Sequence, residues 1–301
     1  MKIVKNRFIF IAIAVVAILA GVAAMVINST SGKGAFNYDV QFTGGTAIEI
    51  DLGQEFENDD ITKIVEETTG TKNPQVQKVG DGHSVTIKTA TLENEQRDAL
   101  TAAICEKYSL DNDSYSIEDV SATISNEMQQ KAFLSVIVAC LAMLIYITLR
   151  FNDFKTGVSS IFALIHDVAV VIAFYAIFRI PLNNSFIAAL LTVLGYSINA
   201  SIVIFDRVRE NKNKLSKASN EELIDTSISQ TFRRSLFTSL TTFLTLICLC
   251  ILGVPSVREF AMPIAVGVVC GTFSSICLSG SFWYIMTGEK KGFEKKTAEA
   301  D

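Results

Sequence analysis

GVSSIFALIHDVAVVIAFYAIF, Gly157 to Phe178, is a continuous apolar run that carries a histidine and an aspartate side by side, His166 and Asp167. A helix needs about 20 such residues to cross the hydrocarbon of a bilayer, and this run has that length. An ionisable side chain at bilayer depth costs about 2.5–3.5 kcal/mol on insertion scales, so the pair points to a task. Read as a membrane span, the run sets the frame for everything around it.

Five further runs of similar character lie at about Phe8–Ile27, Phe133–Leu149, Phe186–Phe205, Leu236–Val254 and Met262–Met286. Half of the 301 residues are hydrophobic and only 19% are charged. Together these predict a polytopic α-helical membrane protein with six transmembrane helices. The first run follows Lys2, Lys5 and Arg7 and ends near the small residues Ala20, Ala23 and Ala24, yet its apolar core exceeds the roughly 7–15 residues of a signal peptide. It reads as an uncleaved anchor.

Lys and Arg in the short flanks set the orientation. They gather before span 1, after span 2 (Arg150, Lys155), after span 4 (Arg207, Arg209, Lys212, Lys214, Lys217, Arg233, Arg234) and in the tail (Lys290, Lys291, Lys295, Lys296); the opposite links hold only Arg179 and Arg258. Both termini are expected on the cytoplasmic side. The expected division is 1–28 (cytoplasmic N-terminus and span 1), 29–130 (an extracytoplasmic domain), 131–287 (spans 2–6) and 288–301 (a charged cytoplasmic tail).

The segment 29–130 is acidic, with Asp51, Glu55, Glu57, Asp59, Asp60, Glu66, Glu67, Asp111, Asp113, Glu118 and Asp119, and it accounts for the net charge of -5. Such a surface argues against nucleic acid as a partner. TAIEIDL reads as a strand, DDITKIVEETTG as a helix capped by Asp59 or Asp60 and stopped at Gly70, and PQVQKVG and HSVTIKT as strands around an Asp81–Gly82 turn. LENEQRDALTAAICEKY reads as a helix and SYSIEDVSATI as a last strand. The order βαββαβ is that of a ferredoxin-like α+β domain.

Of the six cysteines only Cys105 lies outside the spans, which leaves no disulfide for the external domain. His83 and His166 are far apart and no HExxH occurs, so a zinc hydrolase is excluded; no catalytic residue, metal or cofactor is expected.

Polar residues inside the spans are the candidate site. Span 4 ends GYSINASIVIFDRVREN, with Ser197, Asn199 and Ser201 at depth and Asp206, Arg207, Arg209 and Glu210 at its exit. Span 5 opens TFRRSLFTSLTT, with Arg234, Thr238 and Ser239. At 1.5 Å per residue His166 lies roughly 13 Å in from Gly157 and Asn199 roughly 9 Å in from Phe205, with Arg234 at the mouth of span 5. About 100° of helix separates His166 from Asp167, so the two cannot both face one partner squarely. Asn199 reads first as an interhelical hydrogen bond, and the Asp206–Glu210 cluster as an interfacial anchor. Gly267, Gly271 and Ser275, four apart in span 6, read as a stripe that lets another helix approach.

FTGGT at Phe42–Thr46, ALIHDVAVV, FIAALLTVLGYSIN with IVIFDRVREN, RRSLFTSLTT and GTFSSI, in this order along nearly the whole chain, resemble the SecF family. The resemblance implies a resistance-nodulation-division-like half-assembly that pairs with SecD beside the SecY/SecE/SecG channel, with YajC and YidC-type proteins, the preprotein and membrane lipids as further partners. It implies use of the proton-motive force to drive late translocation. The family's RTxxTS matches Arg234, Thr238 and Ser239; where the family often has an acidic residue after SIN this chain has Ala200, and where it commonly has aspartate before FTGG this chain has Gln41, with Asp39 two residues earlier. Phe42, Gly44 and Gly45 are motif residues, the glycines giving a sharp turn into the first strand. Alternatives to the motor are a structural brace of the translocase, or half of a small-molecule or lipid exporter, for which no apolar pocket is evident in the sequence.

Overall fold

The computed structural model describes residues 2–32, 34–71, 74–79, 82–110, 115–215 and 217–289. Asp81, Asp111, Asp113 and the lysines at 290, 291, 295 and 296 lie outside the described residues. Six helices are long and apolar enough to cross a membrane: Arg7–Thr30, Ala122–Phe151, Phe154–Phe178, Asn184–Lys214, Asn220–Leu252 and Val257–Thr287. The chain is a multi-pass membrane protein.

In chain order the elements are α1 (Arg7–Thr30), β1 (Asn37–Tyr38), α2 (Val40–Thr43), β2 (Gly45–Asp51), α3 (Asn58–Thr69), β3 (Gln75–Val79), β4 (Ser84–Thr89), α4 (Asn94–Tyr108), β5 (Tyr115–Val120) and α5 (Ala122–Phe151). Then follow α6 (Phe154–Phe178), β6 (Pro181–Leu182), α7 (Asn184–Lys214), α8 (Asn220–Leu252), α9 (Pro255–Phe273), a π-helical segment (Ser274–Ser279) and α10 (Gly280–Thr287). The chain divides into two units: residues 37–134 with 181–184, and residues 1–36, 135–180 and 185–301.

In the smaller unit a four-stranded sheet has the order β3-β4-β2-β5, with every neighbouring pair antiparallel. Alternation along β2 turns Ile48 and Ile50 to one face, where register places them opposite Ile87 and Val85 of β4. That face packs on Ile61 and Val65 of α3 and Leu100 and Ile104 of α4. Each such side chain, fully buried, contributes about 1.5–3 kcal/mol. Thr46 stitches the layer: its hydroxyl donates to Asp119 Oδ1 at 2.5 Å and accepts from Leu92 N at 3.0 Å.

Several boundaries differ from the sequence reading. α3 starts at Asn58 with Glu57 at its N-cap, so Asp59 and Asp60 fill its first turn, where they face the positive end of the helix dipole. Gly70 does end α3, in the left-handed conformation at φ 71°. The last strand stops at Val120, because Ser121 caps a helix and accepts from Ile124 N. A two-residue strand and the four-residue α2 also precede β2.

In the larger unit α6 is N-capped by Asp153, which accepts from Lys155 N at 3.1 Å, and α8 by Ser219, which accepts from Glu222 N at 3.1 Å. Capping places the start of α8 at Asn220, about four turns before the apolar run. Helices close up at small residues: a Cβ on Gly21 of α1 would lie 2.1 Å from Ala173 Cβ of α6, and one on Gly267 of α9 would lie 2.2 Å from Val193 Cγ2 of α7. The N-terminal residues Ile3 and Val4 are buried with Ile204, Phe205, Ile224, Ile228 and Trp283. Their amides both donate to Asp225 Oδ1 at 3.0 Å.

Candidate functional site

Asp167 lies mid-span, about 20 Å from the start of α6 and about 17 Å from its end at the helical rise. It is fully buried, and His166 is 7% exposed. Three groups reach its carboxylate. Ser197 Oγ of α7 donates to Oδ2 at 2.5 Å, and Ser274 Oγ, at the head of the π segment, donates to the same oxygen at 2.7 Å. His166 Nδ1 lies 3.0 Å from Oδ1, so the two consecutive side chains bond each other despite their angular separation on the helix. The imidazole also stands 5.9 Å from the ring of Phe273. A buried carboxyl group needs hydrogen-bond partners, and here hydroxyls from two neighbouring elements serve Oδ2 while the imidazole serves Oδ1.

Gly271 makes the approach possible. A Cβ there would lie 3.1 Å from Ser197 Cβ, so the glycine lets α9 sit against the helix that offers Ser197 to Asp167. Gly267 does the same one turn away, against Val193. Ser275 is buried and donates to Thr272 O at 3.2 Å, so the neighbouring Ser274 alone of the pair turns to Asp167.

The other candidates lie elsewhere. Asn199 is exposed and makes no hydrogen bond among the described residues; it stands about 200° around α7 from the buried Ser197. Arg234 and Thr238 are exposed on α8, and Thr238 Oγ1 returns to Arg234 O at 2.8 Å. With Thr241 and Thr245, also exposed, they make one polar stripe at spacings of three and four residues. Since α8 begins at Asn220, Arg234 sits inside a long helix and not at its first turn. Ser239 is buried on a different side of α8 from Arg234.

Asp206 forms ion pairs with Arg150 at 3.4 Å and Arg209 at 3.1 Å, while Arg207 bonds Glu210 at 2.6 Å and Gln230 at 2.7 Å. In the FTGG motif Phe42 is buried, and Gly45 holds φ 131°, where a Cβ would strike Thr89 O at 2.2 Å. Gly44 and Gly45 thus turn the chain from α2 into β2. Asp39 caps α2 and pairs with Lys88 at 3.0 Å; Gln41 bonds Glu118 and accepts from Asn184 N, both at 2.8 Å.

Sequence reading missed one feature, an apolar cavity of about 430 Å³ lined by Phe10, Leu236, Phe243, Val268, Phe273 and Cys277 among others. Its walls come from helices far apart in the chain, so no local pattern announces it. Asp153 is a second omission. Burial raises its carboxyl, but hydrogen bonds from Trp283 Nε1, Thr156 Oγ1 and Lys155 N outweigh this and hold it below the usual carboxylate range.

The family model described as Protein export membrane protein SecD/SecF, C-terminal, matches residues 100–289, the stretch that contains α5 to α10 and the Asp167 cluster. Protein translocase subunit SecF of Sebaldella termitidis is 35% identical over 264 residues, covering 85% of this chain and 84% of that protein. The chain belongs to the SecD/SecF family. The SecF of Petrotoga mobilis is 33% identical over 97% of this chain and 98% of its own. Among solved structures, SecDF of Thermus thermophilus, a translocon-associated membrane protein, superposes with a TM-score of 0.84 at 32% identity. That match takes in 95% of this chain but 38% of the SecDF chain, so this chain spans under half of that protein's length.

Proposed function

We propose that this chain is a SecF-type accessory subunit of the Sec translocase that pairs with SecD and uses the proton-motive force to promote late translocation of preproteins across the bacterial cytoplasmic membrane. The observation that carries this reading is the uncovered stripe of Arg234, Thr238, Thr241 and Thr245 on an otherwise apolar span, with Asn199 exposed on α7, which α8 meets where Tyr196 Oη donates to Thr242 Oγ1 at 3.2 Å. A guanidinium at the head of an apolar run, turned away from this chain's other helices, is placed to meet a partner helix bearing a carboxylate. This fits a half-assembly whose proton path closes only against SecD. One proton crossing 100 mV carries about 2.3 kcal/mol, enough to bias a domain between two orientations.

Both termini face the cytoplasm in this reading, and residues 29–130 form the extracytoplasmic domain, with a strand order matching a ferredoxin-like split βαβ fold. SecY/SecE/SecG, YajC and YidC-type proteins are the proposed neighbours.

The test is a pulse-chase of a secreted reporter in cells depleted of this chain and re-supplied with wild type or Arg234→Met. Loss of export at equal membrane level and SecD binding supports the motor. Equal rescue identifies a brace, and unchanged export on depletion overturns the secretion role.

A further inference from the structure

Asp167 is the only acidic side chain among the buried residues described. The groups that face it are His166 on its own helix, the Ser197 hydroxyl from α7, the Ser274 hydroxyl from the π segment and, at longer range, the Cys270 thiol of α9. Its one ion-pair partner among the described residues is His166, and no lysine or arginine joins them. Two serines therefore give their protons to one oxygen and fill its lone pairs, so a proton can add to Oδ2 only if one serine stops donating.

The geometry holds a second arrangement in readiness. Ser274 Oγ also lies 3.3 Å from Gly271 O, so its proton has another acceptor within reach. If a proton binds Asp167 Oδ2, that oxygen becomes a donor; Ser274 can receive its hydrogen bond only by turning its own proton to Gly271. The serine concerned opens the π segment, and single π turns inside α-helices recur at functional positions. One turn along α7 from Ser197, on the same face, Ser201 Oγ is fully buried without a hydrogen-bond partner. An orphaned hydroxyl there is a place where water can bridge toward the carboxylate.

We infer that Asp167 is a proton-binding site internal to this chain, and that its protonation reverses the Ser274 hydrogen bond and so changes how the last span is held against α6 and α7. The step is balanced: one proton passes from water to Asp167 Oδ2 and leaves again to water, with no change of electrons. This rests on the proton-motive reading above, but it places a titrating group inside this chain rather than in SecD.

The experiment uses the complete chain with SecD, in proteoliposomes for infrared difference spectroscopy across a pH titration and in cells depleted of the native chain for gradient-driven export of a secreted reporter. A carboxylic C=O band should rise on acidification, vanish in Asp167→Asn and shift in frequency in Ser274→Ala, which keeps the carboxyl and removes one donor. Gradient stimulation of export should be lost in Asp167→Asn. If wild type responds to the gradient and Asp167→Asn responds equally, the inference falls while the motor reading stands; if wild type itself does not respond, the motor reading falls. Should Asp167→Asn fail to accumulate, the wild-type and Ser274→Ala spectra still decide: no pH-dependent carboxyl band that Ser274→Ala displaces means no proton site here.

Discussion

Trp283 Nε1 donates to Asp153 Oδ2 at 3.0 Å, which ties the end of the last span to the N-cap of α6. The same oxygen accepts from Thr156 Oγ1 at 2.8 Å. Trp283 is the only tryptophan in the chain, so its emission reports this contact alone.

Because its hydrogen bonds hold the folded Asp153 carboxyl below its ordinary value of 3.8, its contribution to stability is complete above that value and is lost as pH falls through the lower folded one. Indole emission of the purified protein should therefore change on acidification below about pH 4, and Asp153→Asn should flatten that step. Asp153→Ala, which loses cap and indole acceptor together, should destabilise the chain by about 1–2 kcal/mol in a denaturation assay.

Gly267 and Gly271 differ in how much room they have, 2.2 Å to Val193 Cγ2 against 3.1 Å to Ser197 Cβ for an added Cβ. Gly267→Ala should thus be the more damaging, by about 1–3 kcal/mol, since Val193 is branched and fully buried. Gly271→Ala should cost less but push Ser197 away from Asp167. Thermal unfolding should order wild type, Gly271→Ala, Gly267→Ala; the reverse order would contradict this packing.

The spans were legible because lipid imposes an apolar length on any segment that crosses it, and all six runs could be bounded within a few residues on at least one side. The start of α8 was the largest miss, since its first four turns carry charged and hydroxyl residues and lie before the apolar run that betrays a span. His166 and Asp167 stood out as a charge cost in a hydrophobic run. Their partnership did not: Ser197 stood at depth and Ser274 within GTFSSI, but they lie 30 and 107 residues away and nothing local joins them to Asp167. Arg234 drew attention through its motif, yet which face of α8 it occupies depends on what buries Ser239 and Ser235, and that is a property of packing.

Gly45 and Gly53 both hold positive φ, at 131° and 61°, but only Gly45 is crowded. At Gly53 an alanine meets open space and pays only the left-handed backbone strain, about 1 kcal/mol. At Gly45 the Cβ would meet Thr89 O, a backbone atom paired within the sheet. Gly45→Ala should unfold the sheet domain or force β2 out of register, measured as protease cleavage within residues 37–134 at a concentration that leaves Gly53→Ala intact.

Asp225 supplies the only hydrogen bonds to the amides of Ile3 and Val4 among the described residues, both through Oδ1. These residues precede the first helix, so their amides lie outside its ladder and an acidic acceptor on α8 takes them instead. The charge matters as well as the shape, because bonds to an ionised acceptor are about twice as strong as neutral ones. Asp225→Asn keeps an oxygen in place and should weaken the contact; Asp225→Ala leaves two buried donors without an acceptor, at about 1–3 kcal/mol for each. Hydrogen exchange at Ile3 and Val4, followed by mass spectrometry of the N-terminal peptide, should accelerate in the order wild type, Asn, Ala. Equal protection in all three would mean that burial of Ile3 and Val4 against Ile224 and Ile228 holds the segment without Asp225.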